Sequence, residues 1–138
     1  KEAEMATVTR FEDLIAWQEA RKLVQMAYKV TSDGTFARDF GMRGQFQEAA
    51  LSSMTNIAEG FDNESSVEFA RFLGMARRSA VEVQSLCYAA LDVKHINQEV
   101  FQSCYDQAKK TQAIIGGLKK AVLKNPHRPA KPSTSSKT

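Results

Sequence analysis

The chain has 138 residues, of which 43% are hydrophobic and 25% are charged, and its formal net charge is +3. This apolar fraction excludes a chain that is disordered throughout, and the length fits one domain with its own core. No apolar run approaches the roughly 18 residues that span a bilayer, so we expect a soluble, cytoplasmic protein that does not enter a membrane.

Four segments repeat apolar residues with the 3.6-residue period of an α-helix, and none sustains the two-residue period of a strand. They cover about residues 11–30, 39–59, 65–91 and 97–124. The turn formers TSDGTF end the first segment, and Gly60 is placed to stop the second. Ser65 and Glu68 form a capping box before the third segment, and Asn97 is an N-cap candidate before the fourth. Because short connections favour antiparallel neighbours, the pattern predicts an all-α, antiparallel up-down-up-down four-helix bundle.

The composition changes at both ends of the chain. The first ten residues carry no helical period, and the last fourteen combine three prolines and a Ser/Thr cluster with no large apolar residue. Such a C-terminal composition is typical of a disordered segment. The sequence therefore predicts a flexible N-terminus over 1–10, a four-helix bundle over 11–124 and a disordered basic tail over 125–138.

A polar strip accompanies the apolar stripe of the second segment. Asn56 and Glu59 stand three residues apart just before Gly60, and at 100° per residue they share one side of a helix. A structural role is the simplest interpretation of this motif. Glu59 would pair with Arg71 of the third segment, and Asn56 would hydrogen-bond to a neighbouring helix or to backbone.

The second segment also has an unusually wide apolar arc. Leu51, Met54, Ala58 and Phe61 extend it beyond what one packed face needs. An arc of this width indicates burial on two sides, and the second side is most simply covered by another copy of the chain. The sequence therefore predicts a homo-oligomer.

Three stretches carry a resemblance to a known family: FEDLIAWQEARKLVQMAY, FGMRGQFQEAALSSMTNIAEGF and EFARFLGMARRSAVEVQSL. They resemble the four-helix-bundle proteins encoded in intervening sequences of bacterial 23S rRNA genes, the S23 family, over about residues 11–124. The resemblance implies a bundle that assembles into a ring, typically a homopentamer. The family is also similar in fold to the accessory variability determinant proteins of diversity-generating retroelements, basic pentameric barrels that bind nucleic acid and a reverse transcriptase. Thr35 and Thr55 stand where family members usually carry proline, which leaves the subfamily open.

Residue types needed for catalysis or metal binding are sparse. The only histidines are His95 and His127, and no Ser, Cys or Lys has a visible base partner. Asp92 and His95 have the spacing of half a di-iron site, but that site needs a second such motif and two more glutamates, so a capped helix end explains them better. Cys87 and Cys104 fall on apolar helical faces, as buried thiols of a reducing compartment do. The sequence predicts a protein that is not an enzyme and holds no metal or cofactor.

Charge is distributed unevenly along the chain. Residues 1–106 hold 11 basic and all 16 acidic residues, a net charge of −5, whereas residues 107–138 hold eight basic and no acidic residues, a net charge of +8. Four lysines of the fourth segment lie opposite its apolar stripe, which fits either a solvated face or a phosphate-binding strip. The candidate nucleic-acid-binding residues are Arg71, Arg77, Arg78, Lys109, Lys110, Lys120 and Lys124.

Two functions from different classes fit these features. We expect a non-catalytic, ring-forming bundle that binds structured nucleic acid, RNA in particular, through basic surfaces. The alternative is a protein-binding adaptor, such as an accessory subunit of a reverse transcriptase. Salt dependence separates them, because contacts to phosphate impose a steep salt slope and contacts to protein need not. The sequence names neither the cognate RNA nor a protein partner.

Overall fold

The computed structural model describes residues 8–125. Over these residues the chain forms a 3-10 turn (Phe11–Asp13) and five α-helices: α1 (Ile15–Val30), α2 (Gly34–Arg38), α3 (Phe40–Phe61), α4 (Ser66–Asp92) and α5 (Gln98–Lys124). The helix α1 packs against α3 and α5, and α4 packs against the same two helices. This cyclic order confirms the predicted all-α, up-down-up-down four-helix bundle. Residues 1–7 of the predicted N-terminus and 126–138 of the predicted tail lie outside the described residues.

The connection after α1 differs from its prediction. TSDGTF is predicted as a turn, but the short helix α2 begins within it at Gly34, which has a positive φ of 64°. Phe36 of α2 is fully buried and packs edge-on against Phe46, with ring centroids 5.5 Å apart. The start of α1 differs as well, because the predicted first turn of the helix is the 3-10 turn. Burial of Phe36 in the tertiary core is the reason that a turn-like sequence becomes helical.

Helix starts follow the predicted capping residues. The Ser65 hydroxyl accepts a hydrogen bond from the Glu68 N–H at 3.2 Å, and the Asn97 side chain accepts one from the Val100 N–H at 2.8 Å. Asp39 caps α3 in the same manner. Each cap satisfies a donor that the first helical turn leaves without a backbone partner, so the local sequence sets where these helices begin.

The helix α4 ends in a Schellman motif that lacks the usual glycine. Lys94 has a φ of 68°. The His95 N–H donates to the Ala90 carbonyl at 2.9 Å, and the Lys94 N–H donates to the Leu91 carbonyl at 3.0 Å. A left-handed conformation costs a non-glycine residue about 1–2 kcal/mol, so this turn is held by its surroundings.

Gly60 does not stop α3, contrary to the prediction. The helix continues through Phe61, and Gly34 is the one glycine among the described residues with a positive φ. Gly60 is buried where α3 crosses α4, and a Cβ built on it would lie 2.6 Å from the Phe72 Cβ. Glycine is therefore required here for close approach of two helices, not for chain reversal.

The core consists of two apolar clusters along the bundle. One is built around Phe36, Phe46 and Ile96, and the other around Ile57 and Phe69. Cys87 and Cys104 are free and buried in the first cluster, in line with their positions on apolar faces. Within residues 8–125, no helix is both long and apolar enough to cross a membrane.

Candidate nucleic-acid interface

The antiparallel pair α4 and α5 forms a seam that carries several of the predicted basic residues. Tyr88 of α4 meets Tyr105 of α5, with ring centroids 5.6 Å apart. Arg77, eleven residues before Tyr88 on α4, meets Gly116, eleven residues after Tyr105 on α5. The Nε of Arg77 lies 3.4 Å from the position of a Cβ on Gly116. The two helices therefore keep one register along this length.

Two glycines make room for long basic side chains on the seam. Lys119 of α5 crosses Gly74 of α4, with its Nζ 3.1 Å from the position of a Cβ on Gly74. Arg77 of α4 crosses Gly116 of α5 in the reciprocal way. The Nη1 of Arg78 lies 3.8 Å from the position of a Cβ on Gly74, the position that Lys119 also approaches. The cationic groups of Lys119 and Arg78 therefore share one small volume.

We name the group formed by Arg77, Arg78, Lys119 and Lys120 the basic cluster. Three of its members line a cleft of about 560 Å³ together with Gln112, Ala113, Gly116, Gly117 and Leu123. Within residues 8–125, none of the four side chains forms an ion pair with a carboxylate. Uncompensated charges of one sign around a cleft concentrate anions there, so the basic cluster is suited to phosphate.

Two other predicted residues are engaged with carboxylates. The Nη2 of Arg71 is 2.9 Å from the Oε1 of Glu68, and its guanidinium lies 4.9 Å over the Phe72 ring. The Nζ of Lys110 is 3.6 Å from the Oε1 of Glu19 on α1. Lys110 thus lies on the α1 side of α5, whereas Lys120 lies on the α4 side. The predicted lysine arc is divided between two seams.

The remaining predicted lysines of α5 do not join the cleft. Lys109 and Lys124 are both exposed, and Lys124 is the last residue of the helix. The helix continues unbroken through Gly116 and Gly117, although these residues weaken its local propensity. The sequence indicates the basic character of α5 correctly, but the surroundings of each lysine depend on which helix it faces.

Glu19 is a buried carboxylate that sequence reasoning missed. It is 6% exposed, and the Gln107 side chain donates to its Oε1 at 3.0 Å and to its backbone oxygen at 3.1 Å. The hydrogen bond from Gln107, with Lys22 and Lys110 nearby, lowers the pKa of Glu19. Glu19 therefore stays ionised and offsets the charge of Lys110. Its position four residues before the buried Leu23, at the edge of the apolar stripe, is the signal that could have found it.

The Asn56 and Glu59 motif is only partly explained within one chain. Asn56 donates to both the backbone oxygen and the hydroxyl of Ser52 at 2.9 Å, and the Ser79 hydroxyl of α4 donates to the same Ser52 hydroxyl at 2.9 Å. Asn56 thus reaches α4 through Ser52. The predicted ion pair between Glu59 and Arg71 is wrong, because Arg71 pairs within its own helix and Glu59 is exposed.

The apolar arc of α3 is narrower than predicted. Phe61 is 4% exposed and packs edge-on against Phe69, with centroids 5.7 Å apart, so it belongs to the core of its own chain. Leu51 remains 37% exposed and Ala58 is half-buried. The outer apolar surface of α3 therefore includes Leu51 and Phe40, which is 70% exposed at the start of the helix.

His95 joins three helices in an arrangement that sequence reasoning missed. Its Nε2 lies 2.9 Å from the Asp39 carboxylate, its Nδ1 lies 2.8 Å from the Thr35 hydroxyl, and its ring stacks on Phe36. The hydrogen bond with His95, followed by that from the Met42 N–H, lowers the pKa of Asp39. The imidazole is stacked and largely covered, and it links the end of α4 to α2 and to the start of α3. In the described part of the chain, no cluster of His, Cys, Asp or Glu could hold a metal.

Comparisons with known proteins extend these observations. The family model described as 23S rRNA-intervening sequence protein matches residues 12–117. Among solved structures, the chain is similar to a protein of unknown function from the S23 ribosomal protein family of Bacteroides thetaiotaomicron. The TM-score is 0.71 at 17% sequence identity, over 77% of this chain and 99% of that one, so this likeness concerns the fold alone. No curated protein matches the chain.

Proposed function

Since the chain belongs to the family of 23S rRNA-intervening sequence proteins, we propose that it is a non-catalytic, ring-forming bundle that binds RNA through the basic cluster. Family membership confirms the resemblance carried by the three stretches of the first, second and third helical segments. The observation that carries the RNA proposal is the absence of a paired carboxylate around the basic cluster, within residues 8–125. The two predicted cations that do have such partners, Arg71 and Lys110, contribute less to the proposed interface.

Phosphate is the part of RNA that the basic cluster is suited to contact. Arg77 and Arg78 each present a planar fork of donors, and Lys119 and Lys120 add point charges along the same seam. Each phosphate contact releases counterions, so the binding constant falls as salt rises. For each contact, its logarithm falls by about 0.7–0.9 for every tenfold increase in salt concentration. Such contacts position the RNA without reading its sequence.

We place the contact between subunits of the ring on the outer face of α3. Leu51 is exposed in the single chain, and the neighbouring positions one and two turns away, Thr55 and Ala58, are small enough to allow a second helix to approach. A homopentamer would repeat the basic cluster once per subunit, so a long RNA could engage several copies at once. This arrangement leaves the seam between α4 and α5 accessible.

RNA binding is tested with a hairpin RNA at about 50 mM and 200 mM salt, the range over which phosphate contacts change affinity strongly. The cluster variant replaces Arg77, Lys119 and Lys120 with Gln. The control replaces Arg21, Lys29 and Arg38 with Gln. These three residues are exposed on α1 and α2, and their replacement changes the net charge by the same amount as in the cluster variant. We expect the cluster variant to lower the salt slope by roughly 2–3 and the control to leave most of it. Equal loss in both variants would show that only net charge matters.

A protein-binding adaptor, such as an accessory subunit of a reverse transcriptase, is the second candidate. It is favoured by Val67 and Leu123, which are 68% and 54% exposed where α4 begins and α5 ends. Wild-type protein that binds no RNA at low salt would reject the RNA proposal and favour this one.

A further inference from the structure

The seam that holds the basic cluster also holds an exposed aromatic group. We name Tyr88, Phe101 and Tyr105 the aromatic cluster. The Tyr88 ring lies 4.8 Å from Phe101 and 5.6 Å from Tyr105 between centroids. Phe101 is 6% exposed and belongs to the core, whereas Tyr88 is 52% exposed. The core therefore holds the cluster in place while about half of Tyr88 stays open to solvent.

Helical spacing connects the two clusters along α4. Arg77, Val81, Gln84 and Tyr88 follow one another at intervals of three or four residues, so they share one face of the helix. The eleven residues from Arg77 to Tyr88 cover about 16 Å at a rise of 1.5 Å per residue. Val81, 40% exposed, adds apolar surface between the two ends.

The same progression occurs on α5. Tyr105, Lys109, Gln112 and Gly116 are spaced by three or four residues, and Lys109 is exposed between the aromatic cluster and the basic cluster. Lys109 forms no ion pair within residues 8–125. One cation, Lys109, therefore lies on the seam between the basic cluster and the aromatic cluster.

We infer that this seam binds a single-stranded segment of RNA, with one unpaired base stacked on Tyr88 and the adjoining phosphates held by Lys109 and the basic cluster. The inference rests on the proposed function and names the part of the RNA that the site takes.

The chemistry of the seam favours an unpaired strand over a duplex. Aromatic rings beside a basic groove bind single strands because every base has a face on which a ring can stack. In a duplex those faces are covered by neighbouring base pairs, which leaves shape, 2′-hydroxyls and phosphates for recognition. A tyrosine hydroxyl is neutral at neutral pH, and the nearby Tyr105 raises the pKa of Tyr88 further, so this hydroxyl does not repel phosphate.

The test measures binding of two RNA probes that each have eighteen internucleotide phosphates, an unstructured nineteen-nucleotide strand and a ten-base-pair duplex, to three variants. Tyr88→Ala removes the stacking ring, Tyr88→Phe keeps it, and Tyr28→Ala removes a tyrosine that is 43% exposed on α1. We expect Tyr88→Ala to weaken single-strand binding about 5- to 150-fold. Duplex affinity and the salt slope should change little, and the other two variants should behave as wild type.

The outcomes separate this inference from the proposed function. Undiminished single-strand binding by Tyr88→Ala, with loss in the cluster variant, would reject the stacking site and keep RNA binding through the basic cluster. Equal losses for single strand and duplex would also reject it, because stacking cannot account for duplex binding. Wild-type protein that binds neither probe would reject both proposals. Thermal unfolding of Tyr88→Ala and Tyr88→Phe checks that each variant is folded at the temperature of the assay.

Discussion

Replacing Gly60 with Ala tests the close crossing of α3 and α4. The added Cβ would lie 2.6 Å from the Phe72 Cβ and 3.1 Å from the Phe69 Cδ1. Real Cβ atoms essentially never approach another carbon so closely, and the Phe72 Cβ is attached directly to the backbone, so no change of rotamer can move it away. The two helices must separate to accept the new methyl group.

The expected change in the free energy of unfolding caused by Gly60→Ala follows from two opposing effects. Overpacking a well-packed core costs typically 1–3 kcal/mol, and the gain in helix propensity from Gly to Ala offsets about 1 kcal/mol of that cost at most. Because the contact is severe and involves rigid atoms, we expect a net loss of about 1–2 kcal/mol. For a chain of this size, such a loss lowers Tm by roughly 3–8 °C.

Gly44 supplies a matched control on the same helix. A Cβ at Gly44 has no heavy atom within 4 Å, and the residue is exposed. Compared in the Leu51→Glu background, in which the proposed ring contact on this face of α3 is disrupted, Gly44→Ala should therefore show the propensity gain alone, a stabilisation of about 0.5–1 kcal/mol. The same substitution on one helix should change stability in opposite directions at the two positions.

Urea unfolding followed by circular dichroism measures both variants. Protein concentration is kept equal in all samples, since the stability of an oligomer depends on it. A Gly60→Ala variant that matches wild type, or gains as much stability as Gly44→Ala, would refute the close crossing of α3 and α4.

Three further predictions concern other parts of the bundle. Lys94→Gly should raise stability by about 1 kcal/mol in urea unfolding, because glycine removes the left-handed strain at φ 68°, and a loss of stability would contradict this reason. His95 lowers the pKa of Asp39 in the folded chain. The stability that ionised Asp39 contributes is therefore present above its unfolded pKa and is lost as pH falls below about 4. Asp39→Asn should therefore reduce the loss of stability between pH 7 and pH 3, and an unchanged loss would argue against this pair. Leu51→Glu should dissociate the proposed ring in native mass spectrometry without unfolding the chain, whereas an intact ring would place the subunit contact elsewhere, and a monomeric wild type would reject the ring itself.

The sequence by itself determined the features that depend on neighbouring residues. The helical period identifies the four long helices, and the caps at Ser65 and Asn97 act across only three residues. The burial of Cys87 and Cys104 follows from their place on apolar stripes. The family resemblance is also contained in contiguous strings, and the match over residues 12–117 confirms it.

Only the tertiary structure decided which residues of different helices meet. In the sequence Gly60 resembles a helix stop. In the structure a glycine is needed there because Phe72 of α4 leaves no room for a Cβ. Lys110 and Lys120 look equivalent on a helical wheel, but one faces Glu19 of α1 and the other lines the cleft with Arg77. A helical period defines the faces of one helix but not its register against the next. That register depends on the packing of all side chains together, and it brings the basic cluster and the aromatic cluster onto one seam.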